Sequence, residues 1–225
     1  MRRDDLIIFD MDGTLYDLDD VVRANYEMQV QFLLSKTGYN REQVEKYLDS
    51  NHIYPDIRRD SLSATELFAK EGYDIYEWSV FRESNFDVSS IKRDKAVNNA
   101  VLSEFKKIST LVLLSSNSYK TIEKVLTHLG CSITLFSKVL CSDNFSVGKA
   151  FSKGDAMSYI AKSFNISTQK LLSIGDRYKT DIEPMLRLGG KGILMHSPSI
   201  LSKVLEDYKT CSLKTCRGYE YFDSL

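Results

Sequence analysis

No apolar run in these 225 residues approaches the roughly twenty positions that a membrane-spanning helix needs, so no membrane partner is expected. Arg2 and Arg3 precede an apolar stretch that is too short for a secretory leader and ends in acids. Neither sign of charge is in excess: 30 Lys and Arg face 31 Asp and Glu, a formal net of −1. That balance gives no global attraction to nucleic acid or acidic membranes. The lysines are scattered rather than striped, so no nucleic-acid partner is expected either. Cys131, Cys141, Cys211 and Cys216 form no Cys-x-x-Cys pair, and His52, His128 and His196 stand far apart. Reduced, buried or incidental thiols are therefore expected rather than a zinc site. The absence of a Gly-x-x-x-x-Gly-Lys-Ser/Thr loop excludes a Walker-type nucleotide site. Gly189-Gly190-Lys191-Gly192 reads instead as the end of a helix entering a strand. A soluble, cytoplasmic globular protein is expected, long enough for one sizeable domain or two small ones.

What the chain does contain is alternation. Leu6-Ile7-Ile8-Phe9 is a short unbroken apolar run, the pattern of a strand buried on both faces of a parallel sheet. Asp10-Met11-Asp12-Gly13-Thr14 follows it, and the residues after Leu15 lead into a helical pattern, which argues against a hairpin turn at Asp12-Gly13. Helices are predicted from about Asp19 to Lys36, from a cap at Asn40 to Leu48, from the capping box Ser63-Ala64-Thr65-Glu66 to near Gly72, from Ile75 to Arg82 and from Lys92 to Lys107. Strands at Leu111–Leu114, Lys138–Cys141, Lys170–Ile174 and Gly192–Met195 then alternate with helices at Ser118–Gly130, Gly154–Phe164 and Asp181–Leu188. The pattern predicts an α/β fold with a doubly wound parallel sheet and a helical insertion. Its domains would be 1–17 and 95–225 for the sheet and 18–94 for the insertion. The last dozen residues, with Tyr219 and Tyr221, carry no assignable pattern.

Three apolar strands end in polar clusters: Asp10 and Asp12, then Ser115-Ser116-Asn117, then Gly175-Asp176 with Asp181 five residues on. In an open parallel sheet such strand ends meet in one crevice. Clustered carboxylates repel one another unless a cation sits among them. An all-oxygen donor set favours Mg²⁺ or Ca²⁺ over zinc, and a phosphate substrate favours Mg²⁺. Ser116, nearby backbone N–H groups and Lys153 would complement a phosphoryl group.

These motifs in order, Asp10-Met11-Asp12-Gly13-Thr14, Ser116-Asn117, Lys153 and Gly175-Asp176-Arg177-Tyr178-Lys179-Thr180-Asp181, resemble those of the haloacid dehalogenase superfamily of phosphatases. The helical insertion resembles that family's type-one cap. The resemblance implies that Asp10 is the nucleophile, forming an aspartyl-phosphate, and that Asp12 is the acid and base. It implies Mg²⁺ held by the carboxylates of Asp10 and Asp176 and by the backbone carbonyl of Asp12. Ser116 and the backbone around Asn117 would hold phosphoryl oxygens, Lys153 would neutralise charge, and Asp181 would orient the metal site from behind. Lys153 is followed by Gly154 where many such proteins have proline. Lys149 remains the alternative, although spacing to Asp176 and a place at a helix start favour Lys153.

The family also includes dehalogenases, phosphonatases and mutases. Carbon–halogen cleavage needs no acid at the position of Asp12, so its presence points to a phosphate ester. The expectation is a Mg²⁺-dependent phosphatase acting on a small phosphorylated metabolite. The alternatives are a sugar phosphomutase and a catalytically silent phosphate-binding regulatory protein. Phosphonatase chemistry would need a cap lysine; Lys36 and Lys46 are available but unmarked. Arg58-Arg59 with Tyr54 and His52 is the most polar-aromatic stretch of the insertion. It would suit a carboxylate or second phosphate, although a solvated turn after Pro55 is the preferred reading. Tyr16 is a candidate lining residue, and hinges are expected near Asp17 and near Ser89–Asp94.

Overall fold

Leu6–Phe9 forms β1 with every side chain buried, because a strand with neighbours on both edges and helices on both faces has no exposed side. The computed structural model describes residues 5–51, 64–144, 152–216 and 218–223. After β1 come α1 (Val22–Lys36), α2 (Arg41–Ser50), α3 (Ala64–Lys70) and α4 (Ile75–Asn85). Then follow α5 (Asn99–Lys106), β2 (Thr110–Leu114), α6 (Tyr119–Leu129), β3 (Lys138–Leu140), α7 (Lys153–Phe164), β4 (Leu171–Gly175), α8 (Glu183–Arg187), β5 (Lys191–Met195), α9 (Leu201–Lys209) and β6 (Tyr219–Phe222).

The strands lie in the order β3-β2-β1-β4-β5-β6. The first five are parallel, and β6 closes one edge antiparallel to β5. β1 is central, with Phe9 opposite both Leu113 and Ile174. The alternation of side chains along each strand sends Ile7 and Phe9 to one face with Leu102, Phe105 and Val204, and Leu6 and Ile8 to the other with Met157, Ile160 and Met185. Helices therefore cover both faces, the doubly wound arrangement expected.

Between β1 and α5 the described residues contain helices and no strand. The insertion packs around an aromatic cluster in which Phe32, Phe68 and Trp78 lie 5.0–5.3 Å apart, centroid to centroid. The two chain connections to the sheet are tied. Val97 N–H donates to the Leu15 carbonyl at 2.8 Å. The Asp20 carboxylate, its side chain 4% exposed, accepts from the Lys92 N–H at 2.9 Å and pairs with the Lys92 ammonium at 3.2 Å.

Several elements differ from expectation. The helix predicted from Lys92 starts at Asn99, because Asn98 takes an extended conformation and its side chain caps the Val101 N–H. The helix predicted from Asp181 is a single π-helical turn, Tyr178–Ile182, followed by α8 with Pro184 in its first turn. α9 and β6 are additional elements. The Asn40 capping box with Gln43 is present. His52, Tyr54, Pro55, Arg58, Arg59, Ser63 and Lys149 lie outside the described residues. No described helix is long and apolar enough to cross a membrane.

Candidate active site

At the end of β1 the chain turns through Met11, whose carbonyl accepts from the N–H groups of Thr14 and Leu15 at 3.3 and 2.9 Å. The turn is possible because Gly13 holds φ +80°, a conformation costly for a residue with a Cβ. It leaves Asp10 buried, one carboxylate oxygen accepting from Thr14 Oγ1 at 3.4 Å.

Lys153 is the first residue of α7, whose N-cap is Ser152. Its ammonium lies 2.5 Å from Asp10 Oδ1 and 2.6 Å from Asp181 Oδ1. Asp181 sits on the π-helical turn. Its Oδ1 also accepts from Thr180 Oγ1 at 3.1 Å, and its Oδ2 accepts from the Arg177 N–H at 2.9 Å. Gly175 makes room for it: a Cβ there would lie 2.3 Å from Asp181 Cβ. Asp176 is buried beside this pair, and among the described residues its Oδ1 has no hydrogen-bond partner.

Asp12 faces a different set of groups. Asn117, just beyond β2, donates its amide to both Asp12 oxygens at 3.1 and 2.8 Å. Tyr16, fully buried, donates its hydroxyl to Oδ1 in a short contact. Arg82, reaching in from α4, stands 3.4 Å from Oδ2. The Asn117 backbone N–H is turned to Ser115 Oγ at 3.2 Å. Ser116 is half-buried, and among the described residues its hydroxyl makes no hydrogen bond.

The two acids of the first motif are driven in opposite directions. Burial pushes the Asp10 carboxyl up to about 7, against the pull of Lys153, and the charges of Asp181 and Asp12 add to the rise. Burial also raises Asp12, but Arg82, Tyr16, Asn117 and Lys153 together outweigh it and hold the carboxyl below its ordinary value. Asp176 is pushed well up by burial and by Asp10, with Arg177 opposing. Lys153 is held charged: burial works against its charge, but Asp10 and Asp181 prevail.

Asp10, Asp176 and Asp181 each offer a carboxylate oxygen, and the three oxygens lie within 4.8 Å of one another. Three buried acids share the charges of Lys153 and Arg177, and one oxygen of Asp176 has no hydrogen-bond donor among the described residues. These hard oxygen donors fit Mg²⁺. Both oxygens of Asp181 are held at 3.1 Å or less, whereas one Asp10 oxygen has only the 3.4 Å contact to Thr14 and Asp176 Oδ1 has no partner among the described residues, so Asp10 and Asp176 are the better candidates to ligate.

Asp10, Asp12, Ser116, Asn117, Lys153, Asp176 and Asp181 thus follow three neighbouring strands or start the helix beside them. Reasoning from sequence missed Arg82, Thr14 and the side-chain roles of Asn117 and Ser115. Tyr16 had one signal, its place directly after the first motif.

A family model for haloacid dehalogenase-like hydrolases matches residues 5–189. No curated protein matches the chain. Among solved structures, a HAD phosphatase from Thermococcus onnurineus is 16% identical over 91% of this chain and 98% of its own, with a TM-score of 0.56. The HAD-hydrolase YfnB of Bacillus subtilis, solved bound to magnesium, is 15% identical over 91% of this chain and 100% of its own, with a TM-score of 0.54. A 2-haloacid dehalogenase from Pseudomonas syringae pv. Tomato is 18% identical over 92% of this chain and 100% of its own, with a TM-score of 0.51. At these identities the likeness is one of fold.

Proposed function

Because the chain belongs to the haloacid dehalogenase-like hydrolases, we propose that it is a Mg²⁺-dependent phosphatase of small phosphorylated metabolites. On this reading residues 18–94 are a helical cap over a core of residues 1–17 and 95–225, and the protein works in the cytoplasm. The observation that carries the reading is the second carboxylate. Asp12 stands at the same mouth as Asp10, gripped by Asn117, Tyr16 and Arg82. A leaving alkoxide needs a proton donor there, whereas a halide leaves without one.

In the first step an oxygen of Asp10 attacks phosphorus, the ester P–O bond breaks, and Asp12 gives its proton to the departing alkoxide; the reacting form has Asp10 ionised and Asp12 protonated, the reverse of the tendencies of the substrate-free site. In the second, water attacks the phosphorus of the aspartyl-phosphate. Asp12, now a carboxylate, takes the water proton, and the bond to Asp10 breaks to release phosphate. Ser116 orients the phosphoryl oxygens; Asn117, expected from the sequence to share that task, instead spends its backbone N–H on Ser115 Oγ and its amide on Asp12, and so positions the acid. Lys153 lowers the charge on Asp10 and on the phosphoryl group it receives, and Asp181 holds Lys153 in place at 2.6 Å. Asp10, Asp176 and the Asp12 carbonyl would hold Mg²⁺, which supplies positive charge to the nucleophile and phosphoryl oxygens.

The test is hydrolysis of an aryl phosphate with and without Mg²⁺, beside Asp10→Asn. Metal-dependent turnover that disappears in the variant is expected. A folded Asp10→Asn protein with wild-type turnover would end the proposal.

A further inference from the structure

α4 turns one face to the core. Ser79 Oγ lies 3.5 Å from Ser142 Oγ, Glu83 pairs with Lys120 at 3.0 Å, and the Glu83 carbonyl accepts from Lys124 at 2.9 Å. Between these ties, on the same face, Arg82 extends to Asp12. Its side chain is only 15% exposed, and its guanidinium lies 5.9 Å from the centre of the Phe86 ring. A guanidinium carries five N–H donors. Among the described residues Arg82 uses one, in the 3.4 Å contact to Asp12 Oδ2, which is long for a charge-assisted hydrogen bond. Cations are rarely sequestered with most donors unused, because their lost hydration needs an anion in return. Asn117 already serves both oxygens of Asp12, so Asp12 does not need Arg82 as a donor.

We infer that Arg82 is a specificity residue that binds a second anionic group of the substrate, a carboxylate or phosphate one or two carbons from the ester oxygen. The distance follows from the geometry. On the proposed reading of the site, on which this inference rests, Asp12 meets the ester oxygen. A group bound by a guanidinium beside that same carboxylate lies a bond or two further along the alcohol. The planar fork of Arg82 suits bidentate capture of such an oxyanion. Esters of alcohols that are neutral near the ester oxygen leave the guanidinium with only its long contact to Asp12 among the described residues.

The experiment reads binding rather than turnover, so that its failure and that of the phosphatase assignment are separable. Calorimetric titration at constant free Mg²⁺ compares 3-phosphonopropionate, ethane-1,2-bisphosphonate and propylphosphonate, which share a non-hydrolysable P–C link and differ only in the distal group. Wild-type protein is expected to prefer one of the two anionic probes over propylphosphonate by about ten- to a hundredfold. Which of the two it prefers tells carboxylate from phosphate. Arg82→Gln should collapse that ratio to within about threefold, and Arg82→Lys should recover part of it. Equal binding of all three probes by the wild type, or binding of none, overturns the inference. So does an Arg82→Gln variant, folded by circular dichroism, that weakens all three by the same factor.

Discussion

Gly13 lies so close to Asp176 that a Cβ built on it would be 2.2 Å from the carboxylate Oδ2 and 2.5 Å from Cγ. The turn after β1 and the acid after β4 are therefore shaped to each other. Gly13→Ala must displace Asp176 and also adopt φ near +80°. A stability loss of about 2 kcal/mol or more is expected, from left-handed backbone strain and overpacking together. Thermal unfolding with and without Mg²⁺ checks it: the rise in Tm given by the metal should vanish in the variant.

The raised carboxyl of Asp10 makes stability depend on pH in a known direction. With a folded value of about 7 against an ordinary 3.8, the folded protein holds this proton more tightly than the unfolded chain does. The contribution is complete below about pH 4 and lost as pH rises through 7. Asp10→Asn lacks that titration. In EDTA it should gain on the wild type between pH 4 and 8, on the order of a few kcal/mol at the upper end. Urea unfolding across that range is the measurement, and a variant that loses ground as pH rises would contradict it.

Asp12 titrates under the opposite influence. Removing the Tyr16 hydroxyl with Tyr16→Phe keeps the buried ring and takes away one donor that favours the carboxylate. The Asp12 carboxyl should then rise. Carbon-13 NMR titration of Asp12 should show its carboxyl moved to higher pH by up to about one unit. Asp12→Asn should cost about two to four orders of magnitude in turnover.

Asp20 links the two connections between sheet and insertion through the Lys92 N–H. Asp20→Ala should leave that amide without its acceptor. A stability loss of about 1–3 kcal/mol is expected, for a carboxylate hydrogen bond to backbone, with faster hydrogen exchange at Lys92 as the direct readout.

Much of this architecture is legible in local sequence because it depends on local chemistry. Leu6–Phe9 is apolar throughout because its strand is covered on both faces. Asp10, Ser116 and Asp176 follow such runs where the strands reach the crevice. Asn40 and Ser118 announce helix starts by their side chains. α9 was equally legible, since Leu201, Val204, Leu205 and Tyr208 have helical spacing and are all buried. Asn98 is the kind of cap that should have moved the start of α5. Arg82 is different. Within α4 it is an arginine beside a glutamate, indistinguishable from a solvated pair until the helix is laid over the core. β6 is invisible for a similar reason: Tyr219–Phe222 is a strand only by virtue of β5. Its pairing is decided across more than twenty intervening residues.

That last strand also bears on the edge of the sheet. β5 is almost wholly buried and apolar, and without β6 its outer row of N–H and C=O groups would be an open template for another chain. β6 occupies the row in the reverse direction and ends after four residues, with Glu220 among them. A short, charged, antiparallel border is a poor surface for continued strand addition. Protection of this edge of the sheet thus rests on a few residues remote from the chemistry.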